Sequence, residues 1–82
     1  MVVIMITPRQ IRAARALLGW SQQQLADKAI VSLNAVTRLE KAKVDSRAST
    51  LRAIEKALSK AGVEFLVADV KGEGVRLRSP KS

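Results

Sequence analysis

The stretch "SQQQLADKAIVSLNAVTRLEK", Ser21 to Lys41, constrains this chain more than any other. Two helical patterns, each about two turns long, stand almost end to end in it. Only Ala29 to Ser32 separates them, and the corner holds neither Gly nor Pro. Ser21 opens the first pattern as part of a capping box, Ser21-x-x-Gln24, which marks a helix start clearly. Leu25, Ala26 and Ala29 form its inner stripe. Ser32 caps the second pattern, a helix expected over 32–42, in which Ala35, Val36 and Leu39 turn inward.

Signals on either side extend the helical reading. Thr7 is an N-cap candidate, Pro8 suits the first helical position, and Gln10 completes a second capping box. Ile11, Ala14, Leu17 and Leu18 recur at helical spacing, and Gly19 stops the helix in the manner of a left-handed C-cap. The opening "VVIMI" reads either as an edge strand or hydrophobic lead-in, or as a frayed end. "KAKVDSR" breaks the pattern and forms a loop. A fourth helix begins at Ser49 or a near neighbour, buries Leu51, Ile54 and Leu58, and ends at Gly62. The period then changes: "VEFLV" and "GVRLR", with Gly72 and Gly74 available between them, predict a β-hairpin. The expectation is one domain over residues 1–82, mainly α, with a helical core over roughly 7–62 and a C-terminal β-hairpin over roughly 63–78.

Composition narrows what such a domain does. The chain has no Cys and no His, which removes disulfides, thiolate metal sites, the commonest general base and the commonest metal ligand. No phosphate-binding Gly loop or paired-carboxylate motif is present either, so no enzyme activity, metal or cofactor is expected. Lys and Arg number 15 against 7 Asp and Glu, a net charge of +8. That excess points to a polyanionic partner. A membrane surface fits poorly, because the basic residues are not gathered on one long amphipathic helix. The longest apolar run, at the N-terminus, falls far short of a membrane span or signal-peptide core, so cytoplasmic residence is expected. Trp20 and Phe65 are the only aromatics, too few and too far apart for stacking on unpaired bases. Trp20, next to the stop Gly19, reads as a lid on the core.

Sharply joined short helices suit double-stranded DNA. One helix lies across the duplex backbone while the next occupies the major groove, which is about 12 Å wide and admits one helix. Counted at about 100° per residue, the non-core face of the third helix gathers Asn34, Thr37, Arg38 and Lys41, with Leu33 at its edge. Donors and cations make up this face. Glu40 falls at its boundary. Arg38, Lys41, Lys43, Arg47 and Arg52 follow within fifteen residues, against Glu40 and Asp45, where a recognition helix and its following loop pass the phosphates. An ordinary amphipathic helix also has a polar side, so periodicity by itself leaves that alternative open.

"LGWSQQQLADKAIVSLNAVTRLEKAK" resembles the helix-turn-helix of the Cro/lambda-repressor-like family, also called the xenobiotic-response-element family. The likeness runs from about Gln10 to Gly62, and the Leu-Gly-x-Ser-Gln-x-x-Leu-Ala and Val-Ser-x-x-x-Val-Thr-x-Leu-Glu stretches carry it in combination. The resemblance implies a lambda-repressor-like bundle of four to five helices that binds operator DNA, usually as a homodimer. It implies base-reading roles for Leu33, Asn34, Thr37 and Arg38. It implies phosphate contacts by Gln22, a position that in the family also reaches toward bases, and by Ser32, to which the charge pattern adds Lys41, Lys43 and Arg47. It further implies a structural ion pair between Arg15 and Glu40. Two positions depart from the family pattern. Ile30 stands where the turn commonly has Gly, and a β-branched residue resists positive φ; the turn is therefore either differently shaped or strained. Leu33 stands where a polar residue is usual. It either packs on a thymine methyl or is a partly exposed or protein-contacting residue.

Two functional readings follow. The first is a sequence-specific DNA-binding transcriptional regulator, most simply a repressor. The second is an antitoxin that neutralises a protein toxin and autoregulates its operon, with "VEFLVADVKGEGVRLRSPKS" as the contact surface. The hairpin also reads as a dimerisation edge or as a stabiliser of the helices.

Overall fold

In a computed structural model of the chain, described over residues 6–41, 48–66 and 72–78, the order is four helices and then a hairpin. The helices are α1 (Pro8–Leu18), α2 (Gln22–Ala29), α3 (Leu33–Lys41) and α4 (Ala48–Lys60). The strands are β1 (Val63–Leu66) and β2 (Gly74–Leu77), which pair antiparallel with Val63 opposite Leu77 and Leu66 opposite Gly74. The mainly-α bundle with a C-terminal hairpin is thus as the sequence predicts, with four helices among the described residues. The expected strand at "VVIMI" falls outside them apart from Ile6, which is buried.

Both capping boxes form. Thr7 and Ser21 sit in extended conformation, and each side chain accepts from the backbone N–H three residues on. Gly19 takes the left-handed conformation at φ 68°, where Gly carries no Cβ penalty, and the N–H of Trp20 closes on the Arg15 carbonyl at 3.0 Å.

The core collects one stripe from each helix: Ile11 and Ala14, then Leu25, Ala26 and Ala29, then Val36 and Leu39, then Ile54 and Leu58, with Val63 of β1 closing one side. Leu17 does not join them. It is exposed, because Leu18 occupies the core-facing row of the last turn of α1. Trp20 lies half-buried against this cluster, with the Lys28 ammonium 6.0 Å from its ring centroid, within cation–π range.

A lone hairpin is marginal in water, and this one is held against the helices. Phe65 and Val75, opposite one another, pack on the core. Gln10, buried in α1, donates from Nε2 to the carbonyls of Leu66 and Gly74 at 3.1 and 3.0 Å, at the end where the two strands part. Its Oε1 meanwhile accepts from the Thr7 N–H at 2.9 Å, so one amide caps a helix and docks a hairpin. Thr7 Oγ1 donates to Glu73 at 2.8 Å, and Arg9 pairs with the same carboxylate at 3.2 Å. No helix among the described residues is long and apolar enough to cross a membrane.

Candidate nucleic-acid interface

The corner between α2 and α3 is built by backbone hydrogen bonds. Val31 donates its N–H to the Ala26 carbonyl at 3.0 Å and Ile30 donates to Asp27 at 3.4 Å, the two bonds of a Schellman ending. That ending requires a left-handed residue, and the residue is Ile30, at φ 57°, ψ 50°. Of the two outcomes the sequence leaves open, a left-handed isoleucine is the strained one. Among the described residues Ile30 is the only non-Gly residue with positive φ, and its side chain is 90% exposed. What holds it is the neighbour: Val31 turns onto the core immediately afterwards. Ser32 then caps α3, its Oγ accepting from the Ala35 N–H at 3.0 Å.

The inward side of α3 is locked by charge. Glu40 is 3% exposed. Arg15 of α1 grips it in a two-pronged pair, Nε to Oε2 at 2.6 Å and Nη2 to Oε1 at 2.9 Å. Gln22, the first residue of α2, donates Nε2 to Oε1 at 3.0 Å. Arg12 donates to the Glu40 backbone carbonyl, and Arg15 Nη1 also donates to the Trp20 carbonyl at 3.0 Å. One buried carboxylate thus joins α1, α2 and α3. Burial by itself pushes the Glu40 carboxyl upward, but the hydrogen bonds from Arg15 and Gln22, with the charges of Arg15 and Arg12, outweigh it and bring the pKa below its ordinary value. The same hydrogen bond from Glu40 raises the Arg15 pKa further, against the opposing effect of burial.

With Glu40 turned in, the outward side of α3 is free of carboxylate. Ser32, Leu33, Asn34, Arg38 and Lys41 are exposed there, and Thr37 is half-buried. Thr37 Oγ1 donates to the Leu33 carbonyl at 3.0 Å and lies 3.5 Å from Gln22 Oε1. Gln22 is therefore oriented between the two helices, its amide nitrogen on Glu40 and its oxygen toward Thr37. Residues 33, 34, 37, 38 and 41 lie on α3, Ser32 caps it, and Gln22 meets Thr37 across the corner. Lys43 and Arg47 lie outside the described residues. Among the described residues no group of carboxylates is placed to hold a metal ion.

Sequence reasoning missed two parts of this arrangement. The sequence points Gln22 toward DNA alone, and the structure gives it a hold on Glu40 as well. Arg12 was assigned nothing, although Arg12 and Arg15 are three residues apart and so share one side of α1. Two cations on one side of a helix that carries no acid of its own were the available sign.

The sequence profile of the Helix-turn-helix family, the lambda-repressor/Cro-like group, matches residues 11–65. The chain belongs to that family. No curated protein matches it. The matched span of this helix-turn-helix domain begins within α1, ends within β1 and leaves β2 outside. The family is one of DNA-binding regulators, and α2 and α3 are the two helices that give it its name.

Proposed function

We propose that this helix-turn-helix domain is a sequence-specific regulator of transcription, most simply a repressor, whose α3 enters the major groove of double-stranded DNA. One observation carries the reading: the outward face of α3 offers Asn34, Thr37 and Arg38 to base edges beside Lys41, while the sole acid of the helix is drawn inside by Arg15. Arg38 suits guanine and Asn34 suits adenine, each through a two-point contact. Lys41, with Lys43 and Arg47 of the following segment, supplies the sequence-independent attraction to phosphate through counterion release. Ser32 and the start of α2 at Gln22 flank the same groove as backbone-contact positions. A homodimer brings two copies of α3 to half-sites about 34 Å apart, one turn of the duplex.

Selection of bound sites from random duplexes, repeated at several salt concentrations, tests this. A palindromic consensus whose spacing matches one turn supports the dimeric regulator. Binding that falls with salt but prefers no sequence refutes it.

A second reading, an antitoxin that also binds a protein toxin, draws on the hairpin. Leu66 and Leu77 are exposed on it, and β2 lies beyond the span matched by the family. A toxin-like reading frame beside the gene, and co-purification of its product with the full chain but not with an L66S/L77S variant, distinguishes this reading from the first.

A further inference from the structure

Leu33 is the apolar member of an otherwise polar face. It is 43% exposed at the first position of α3, while the apolar residues that follow it, Val36 and Leu39, are buried. Side chains on a helix lean toward its N-terminus, so Leu33 sits at the leading tip of α3, ahead of Asn34 and Arg38. Thr37 stands one turn below on the same side, and its hydroxyl hydrogen is engaged by the Leu33 carbonyl at 3.0 Å. The Thr37 hydroxyl is thus held within the protein, with Gln22 Oε1 a further 3.5 Å away, so it is not a free donor for a base edge. Leu33 is thus an exposed apolar group on a helix face that also carries the exposed cations Arg38 and Lys41, complementary to a polyanion that carries an apolar group in its groove.

One apolar group is available on the major-groove floor: the methyl on C5 of a pyrimidine. Building on the major-groove placement of α3 proposed above, we propose that Leu33, with Thr37 beside it, reads this C5-methyl group, and that the domain accepts it on thymine and on 5-methylcytosine alike. The chemistry is specific to the methyl. Leucine has no donor or acceptor with which to tell the thymine 4-oxygen from the cytosine 4-amino group, so the contact senses whether a methyl is present and ignores the base that bears it. A DNA-methylation mark at this position then strengthens binding instead of blocking it. The effect per contact is that of one buried methyl, about fourfold in affinity, and about sixteenfold where both half-sites of a dimeric operator carry it.

The test uses the full chain and a duplex selected from random sequence. Thymines in the selected site are replaced one at a time by deoxyuridine, which removes only the methyl group. At the same positions, cytosine–guanine versions are compared with and without the C5-methyl. At one position per half-site, loss of the methyl is expected to weaken wild-type binding about fourfold in both series. L33A and L33Q are expected to bind methylated and unmethylated versions equally. Both variants are compared because either alone is open to misfolding; thermal unfolding followed by circular dichroism reports whether each is folded. If wild type and the folded variants bind the selected duplex but respond identically to the methyl at every position, the methyl-reading proposal is overturned while groove binding stands. If no duplex is selected at all, both fail. If L33A leaves the methyl response intact and instead changes the mass by light scattering, Leu33 is a protein contact and the proposal is overturned.

Discussion

Replacing Ile30 by glycine is expected to stabilise this protein, although the change removes a large apolar side chain. The left-handed conformation costs an L-residue about 1–2 kcal/mol, with a β-branched residue toward the upper end. Ile30 adopts it at φ 57°. Glycine escapes that cost but loses more backbone freedom on folding, about 0.5–1 kcal/mol. The packing lost is small. Full burial of such a side chain contributes about 1.5–3 kcal/mol, and Ile30 is 90% exposed, so only some 0.2–0.3 kcal/mol is at stake. A net gain of about 0.5–1 kcal/mol remains for I30G, which for a domain this small raises Tm by about 2–8 °C. Thermal and urea unfolding of the full chain measure it, and the urea m-value should not change. I30A is the control. Alanine keeps the strain and removes the side chain, so it should match wild type to within about 0.5 kcal/mol. The reasoning is refuted if I30G and I30A both lose stability. That result means the Ile30 side chain is buried against another molecule in solution and is retained for that contact. Affinity for a selected duplex should be the same in I30G and wild type, since the corner keeps its shape.

Four further outcomes are expected. E40Q leaves Arg15 facing no charge at a largely buried position and should cost about 3 kcal/mol in urea unfolding, toward the low end of the range for broken buried pairs because Arg15 is 20% exposed. Glu40 also makes stability depend on pH. Its carboxyl titrates below its ordinary range when folded, so its contribution is complete above about pH 4.3, the unfolded value, and disappears as pH falls through the lower folded value; stability curves of wild type and E40Q should converge in that acid window. Q10A removes the donor shared by the Leu66 and Gly74 carbonyls and should cost about 1–3 kcal/mol, with the greatest loss of amide-exchange protection in β1 and β2. R38A should relax base preference at one operator position, whereas K41A, like K43A, should weaken all sequences alike and lower the salt slope by about 1; an exchange of those two behaviours in the binding assay reverses the roles assigned to these residues.

Much of the fold was legible locally. The Thr7 and Ser21 capping boxes use partners three residues away, and Gly19 ends α1 because glycine takes the left-handed conformation needed there without a Cβ penalty. A period of 3.6 placed Val36 and Leu39 inward and Asn34 and Arg38 outward without reference to any other segment. The hairpin followed from a change of period and a supply of glycine. The exposure of Leu17 was not legible, since Leu17 and Leu18 are both apolar and only the packed neighbours select between them.

What tertiary structure decided lies where two distant segments compete for one atom or one conformation. Local preference opposes a left-handed Ile30, and the burial of Val31 and of the α2 stripe overrides it, since many packed contacts outweigh one strained pair of dihedrals. Helical periodicity left Glu40 at a boundary; Arg15, twenty-five positions earlier, draws it inside, because a buried carboxylate persists only with a cation and donors around it. Gln10 and Gln22 each have a local or surface role by sequence and a second, long-range role by structure, on the hairpin carbonyls and on Glu40. Caps, periods and faces therefore come from the chain itself, because neighbours within a turn of helix supply both partners. The strain at the corner and the charge lock beneath α3 come from the fold, because their partners meet only once the core has closed.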